Sequence, residues 1–105
     1  LTILFISLLS SPSWSEEMGD LVRRNSLWYL KFSDVPFTGE VTGQEQGSIK
    51  NGEREGLWVW YHMNGQLKTK GNFKNGDLDG VWEWYFGDGR LLNKENYKNG
   101  VQISD

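Results

Sequence analysis

Gly47-Ser-Ile-Lys-Asn-Gly-Glu-Arg-Glu-Gly-Leu-Trp-Val-Trp-Tyr-His-Met-Asn-Gly-Gln-Leu-Lys-Thr-Lys70 runs without a gap into Gly71-Asn-Phe-Lys-Asn-Gly-Asp-Leu-Asp-Gly-Val-Trp-Glu-Trp-Tyr-Phe-Gly-Asp-Gly-Arg-Leu-Leu-Asn-Lys94. The two stretches are one pattern written twice, with a period of 24 residues. Eleven positions are identical: Gly47/Gly71, Lys50/Lys74, Asn51/Asn75, Gly52/Gly76, Gly56/Gly80, Trp58/Trp82, Trp60/Trp84, Tyr61/Tyr85, Gly65/Gly89, Leu67/Leu91 and Lys70/Lys94. A third copy opens at Glu95 with Asn96-Tyr97-Lys98-Asn99-Gly100. A fixed period of this size marks a stacked array, in which each unit buries its apolar side only against a neighbour.

Within each copy the turn chemistry is explicit. Asn51-Gly52 and Asn75-Gly76 are two-residue hairpin signals, because both central positions of a type I′ turn need φ > 0. Asn64-Gly65 and Asp88-Gly89 turn the chain at the other end of the unit. Gly56 and Gly80 join Asn51, Gly52, Gly65, Asn75, Gly76 and Gly89 as structural turn positions. Between the turns lie Leu57–His62 and Val81–Phe86, rich in aromatic and β-branched residues, then Gln66–Phe73 and Arg90–Tyr97. These segments predict short antiparallel strands, and no window carries a helical period. The fold class is therefore all-β: an antiparallel, single-sheet meander of hairpin repeats of 24 residues, elongated and open at its ends. Trp58 and Trp60 alternate onto one strand face and Tyr61 onto the other. Either both faces are partly covered or a bulge re-aims a side chain.

The array occupies residues 47–105, as 47–70, 71–94 and a partial copy at 95–105. Residues 16–46 form a lead-in unit. There Leu21–Lys31 reads as two short strands around an Arg24-Asn25-Ser26 turn, and Ser33-Asp34-Val35-Pro36 reads as a loop because Pro36 stops strand pairing. Phe37–Gly43 resumes a strand. Residues 1–15 open on Leu1–Leu9, an uncharged apolar run shorter than the roughly 20 residues a membrane-spanning helix needs. Ser13-Trp14-Ser15 fits the small-x-small pattern of a signal-peptidase site, with acidic Glu16-Glu17 beyond it. The expectation is a cleaved signal peptide and a periplasmic or secreted chain.

Of the 105 residues, 13 are Gly and none is Cys. The absence of Cys excludes disulfides, thiolate metal sites and Cys nucleophiles. A net charge of −3 provides no basic field for a nucleic acid or an anionic membrane surface.

The pattern Lys-Asn-Gly-x-x-x-Gly-x-Trp-x-x-Tyr-x-x-(Asn/Asp)-Gly, at Lys50–Gly65 and Lys74–Gly89, resembles the MORN-repeat variant family. The lead-in Leu21–Gly43, most of all Asp34-Val35-Pro36-Phe37-Thr38-Gly39, looks like that of bacterial members. The resemblance implies a repeat-built β fold. It also implies kinship with antitoxin-like repeat proteins of the YwqK type, whose function would be to bind and neutralise a partner protein. Other members are scaffolds or have been linked to phospholipid surfaces.

No catalytic residues, metal ligands or cofactor emerge from the sequence. Asn75-Gly76-Asp77-Leu78-Asp79-Gly80 imitates the first half of a calcium-binding EF loop, but its twelfth position, where a bidentate Glu belongs, is Phe86. His62 is the only histidine, and its counterpart one period later is Phe86, so an aromatic filler suits the position. The pairs Glu53/Glu55 and Asp77/Asp79 read as solvated turn carboxylates rather than a general acid and base. The aromatic series Trp58, Trp60, Tyr61, Trp82, Trp84 and Tyr85 is the candidate binding face, since the period sets equivalent rings in a row. The function expected is non-catalytic binding of a protein partner; a carbohydrate or cell-wall binding module is the alternative.

Overall fold

The computed structural model describes residues 15–104. The apolar run and all but the last residue of the expected signal peptide lie outside them. Ten strands follow: β1 (Ser15–Glu17), β2 (Leu21–Arg24), β3 (Leu27–Leu30), β4 (Gly39–Thr42), β5 (Glu45–Lys50), β6 (Glu53–Tyr61), β7 (Leu67–Lys74), β8 (Asp77–Tyr85), β9 (Leu91–Lys98) and β10 (Val101–Ile103). One 3-10 turn, Met18–Asp20, links β1 to β2.

From β4 to β10 the chain is the expected antiparallel meander, each strand pairing with the next. It is elongated, with extents of 56 × 30 × 24 Å. Two features enlarge the picture. β1 pairs parallel with β4 and makes the sheet mixed at that edge. The β2–β3 hairpin forms a small second sheet of its own.

The turns follow the sequence. Asn51 and Gly52 have φ of 50° and 85°, Asn75 and Gly76 52° and 84°, Asn99 and Gly100 52° and 84°. Asn25-Ser26 closes β2–β3 with φ of 50° and 69°. At the opposite end His62 and Phe86 each accept a hydrogen bond from the Gly three residues on, Gly65 and Gly89. Each thus closes a three-residue loop of the type I plus left-handed Gly kind.

Gly56 and Gly80 depart from expectation. They are not turn residues: both lie inside strands, in β6 and β8, with φ of 75° and 77°. Gly56-Leu57-Trp58 opposes the single residue Gly47, and Gly80-Val81-Trp82 opposes Gly71. The positive φ lets the longer strand bulge around a shorter partner.

That bulge seats the tryptophans. A Cβ on Gly47 would fall 2.3 Å from the Trp58 indole, and one on Gly71 would fall 2.1 Å from that of Trp82. Each indole therefore lies flat against bare backbone. Its Nε1–H then donates to a carbonyl of the same strand as that glycine: Trp58 to Ser48 at 3.0 Å, and Trp82 to Asn72 at 3.1 Å. This satisfies the one polar atom of a buried ring. In the third copy Glu95 stands where Gly47 and Gly71 stand, so the seat ends there.

Successive hairpins are also tied at their tips. The N–H groups of Gly52, Gly76 and Gly100 donate to the carbonyls of Phe37, Arg54 and Leu78. The Asn75 N–H is taken by the Glu55 carboxylate at 3.0 Å. The core, Leu21, Phe37, Val41, Ile49 and Trp58, lies between the β2–β3 hairpin and the β4–β6 part of the large sheet; Met18, Trp28, Leu30, Trp60 and Phe73 pack around it.

Candidate binding face

Directly paired residues point to the same side of a sheet. On one side this rule places Trp60, Thr69, Trp84 and Asn93 in a row, with Trp82 opposite Glu95 and Phe73 opposite Leu78 in rows beside it. The rings touch in sequence: Trp58–Trp60 at 5.8 Å between centroids, Trp60–Trp82 at 5.7 Å, Phe73–Trp82 at 5.1 Å and Trp82–Trp84 at 6.3 Å. The tryptophan pairs are tilted by 35–41° rather than coplanar.

Burial divides the row. Trp58 is 0% and Trp82 3% exposed, so these two rings are core and have no surface left to offer a ligand. The physical reason is the glycine seat beneath each of them. Trp60 and Trp84 are half-buried and remain on the open side. Tyr61 and Tyr85 do not belong to the row. Tyr85 hydrogen-bonds Glu83, two residues back, at 2.9 Å, so both point to the opposite face, and alternation puts Tyr61 there too. That opposite face carries Lys70 and Lys94 at 3.6 and 3.9 Å from Glu83, with Leu57 and Val81 exposed beside them. The aromatic series thus splits into two seated rings, two open rings and two rings on the far side.

The core that the hairpin caps takes in Trp60 and Phe73 at its margin, and Trp84 lies outside it. Beyond it the side bearing Trp84 continues through Glu95 and Tyr97, which are hydrogen-bonded to each other at 2.8 Å.

One residue of this side had no place in the sequence reading. Arg54 turns inward where the second copy has Leu78. Its guanidinium carbon lies 4.6 Å from the Trp58 ring centroid, 5.4 Å from Trp28, 5.6 Å from Phe73 and 5.7 Å from Trp60. Glu45 pairs with its Nη2 at 3.1 Å, while its Nε is buried without a hydrogen-bond partner. Burial pushes its pKa below the usual guanidinium value, and Glu45 opposes that shift. The available signal was the contrast between Arg54 and Leu78 at equivalent positions flanked by identical turns.

The remaining candidates are structural. The His62 Nε2–H donates to the Tyr85 carbonyl at 2.9 Å, and the Asn64 side chain donates to the Gly87 carbonyl at 2.9 Å, so this loop is tied to the loop one repeat on. The calcium-like window is a hairpin turn followed by strand β8, with Asn75 and Gly76 in the turn and Asp77 onward in the ladder. Glu55 holds a turn amide.

The family model described as MORN repeat variant matches residues 54–75 and 78–99, two units offset by the same period. Residues 54–99 are two tandem MORN repeats of the variant type. In these MORN repeats the matched units begin at Arg54 and Leu78, the very positions at which the two copies differ in charge on the aromatic side. Comparison with curated proteins and with solved structures gave no match.

Proposed function

We propose that this MORN-repeat chain is a non-catalytic module that binds another protein through the open part of its aromatic side, with Trp60 and Trp84 as anchors. The observation that carries the reading is the partition of one ring row: Trp82 is seated and buried, whereas Trp84, next to it, is half-buried and lies outside the core that the hairpin caps. Aromatic rings with a polar edge are favoured anchors at protein interfaces. Carbohydrate binding is the second reading, but the 35–41° tilts between neighbouring tryptophans give no single flat platform for sugar rings. Export to the periplasm or beyond, and neutralisation of a toxin-like partner, are the finer parts of the proposal. They rest on Leu1–Leu9 with Ser13-Trp14-Ser15, and on the family resemblance.

The test uses immobilised chain, wild type and Trp84→Ala, exposed to an extract of its source cells and to peptidoglycan and polysaccharide columns. The reading expects a protein partner retained by the wild type and lost by the variant. Retention on a polysaccharide that disappears in the variant, with no protein recovered, would replace it with the carbohydrate reading.

A further inference from the structure

A groove of about 350 Å³ opens between the β2–β3 hairpin and the tips of the repeat hairpins, at the small end of the range for ligand sites. Trp28 and Phe73 supply its apolar lining, and Arg23 and Arg54 its cations. Both guanidiniums lie against the same indole: Arg23 is 5.9 Å and Arg54 5.4 Å from the Trp28 ring centroid. Two like charges around one ring repel, and near the surface such a pair stays costly until an anion comes between its members. Glu45 answers only one edge of Arg54. Arg23 makes no ion pair among the described residues.

The acidic groups of the groove do not serve this purpose. The Glu53 carboxylate leans over Gly76, 3.5 Å from where a Cβ would stand, and that of Asp77 leans likewise over Gly100. Both follow the row of turn tips instead of pairing with Arg23 or Arg54. Their presence, with a chain charge of −3, repels a polyanion such as a nucleic acid, yet a single negative charge can still sit between the two guanidiniums. Nor does the repeat fold require the cation, since Leu78 fills the equivalent place in the next copy.

We propose that this groove receives one carboxylate side chain on an extended segment of the partner polypeptide, with Arg23 and Arg54 gripping the carboxylate and Trp28 and Phe73 packing its neighbours. Arginine forks suit a planar carboxylate, and Ser26 and Asn75 add uncharged polar groups along the groove for the peptide backbone. The proposal deepens the protein-binding reading and rests on it, but the site is separate from Trp84.

The full chain is titrated with acetyl-Gly-Leu-Glu-Leu-Gly-amide, with the same peptide carrying Gln for Glu, and with inorganic phosphate, following tryptophan emission. The Glu peptide should bind at least about tenfold more tightly than the Gln peptide, the effect of one charge-assisted hydrogen-bond set. Arg54→Leu, which copies the Leu78 arrangement, and exposed Arg23→Gln should each erase that preference, and both should melt no lower than wild type. Trp84→Ala should keep the preference while losing the protein partner; a Trp84→Ala chain that keeps both the preference and the partner therefore overturns the aromatic-row reading and not this one. Equal affinity for the two peptides, or a preference that survives in Arg23→Gln, overturns the groove assignment. Phosphate binding as tightly as the Glu peptide overturns it too, in favour of a free-anion site.

Discussion

Gly71 and Trp82 are one structural unit: the indole lies on the glycine's backbone so closely that a Cβ there would stand 2.1 Å from the ring. Gly47 and Trp58 repeat the arrangement at 2.3 Å. The identical Gly and Trp of the two copies, eleven residues apart in sequence, are thus explained by a single contact. The consequence is testable by crowding it. Gly71→Ala should destabilise the chain by at least about 1–3 kcal/mol, the usual cost of overpacking. Gly87→Ala is the control: its φ is ordinary and its nearest neighbour, the Asn64 side chain, is 3.8 Å away, so thermal or urea denaturation should find it near neutral. Equal melting of the two variants would refute the seat.

The turn glycines are copies in sequence but not in surroundings. At Gly76, with φ of 84°, a Cβ would meet only the Glu53 side chain, at 3.5 Å and beyond; at Gly52 it would meet Leu27 at 2.9 Å and Pro36 at 3.1 Å. Gly76→Ala should cost about 1 kcal/mol for the left-handed backbone alone. Gly52→Ala should cost clearly more, because the β3 side chain and Pro36 must also move. Gly76→Val should exceed Gly76→Ala, since a β-branched residue is least tolerant of φ > 0. Chemical denaturation of the three variants checks the order, and equal losses for the two alanine variants would contradict it.

Two tyrosines report on their carboxylate neighbours. Tyr85 and Tyr97 titrate above the ordinary phenol value, chiefly because each donates a hydrogen bond to Glu83 or Glu95, and secondarily through burial and the carboxylate's charge. The folded state thus favours the neutral phenol. Its contribution is complete below the unfolded tyrosine pKa of about 10 and is lost as pH rises through the higher folded value. Glu83→Gln should return Tyr85 towards the ordinary value without moving Tyr97, as read by phenolate absorbance. A titration curve unchanged by the substitution would contradict the assignment.

Export makes its own prediction. Expressed from its natural start in a Gram-negative host, the chain should be recovered from the periplasm beginning near Glu16. Mass spectrometry that found only uncut cytosolic protein would count against that part of the proposal.

Much of the fold was legible because the repeat declares itself twice, and because Asn-Gly pairs encode a backbone sign that few other pairs accept. The bulge was not legible in the alternation of Trp60 and Tyr61, which lie on opposite faces as plain strand alternation has it. Its site at Gly56 and Gly80 was misread as turns, since positive φ in a strand and in a turn select the same residue. The β1–β4 parallel pair was not legible, because three residues carry no period and the pairing is made by backbone alone. Nor was the split of the aromatic row: sequence gives each tryptophan the same weight, whereas burial depends on which ring has a glycine opposite. Arg54 escaped because its surroundings are assembled from β3, β5, β6 and β7 together.

The central claim is that neighbouring tryptophans of one row have different jobs, Trp82 holding the sheet and Trp84 meeting the partner. The direct measurement is a side-by-side comparison of Trp82→Ala and Trp84→Ala, taking both melting and partner affinity. Trp82→Ala should lose about 3–5 kcal/mol of stability, as expected for emptying a buried indole. Trp84→Ala should keep its β-sheet circular dichroism and a melting transition much nearer wild type, while weakening partner binding by about 2 kcal/mol, the scale of an interface anchor. A Trp84→Ala chain that unfolds, or one that folds and binds its partner as tightly as wild type, would contradict the account.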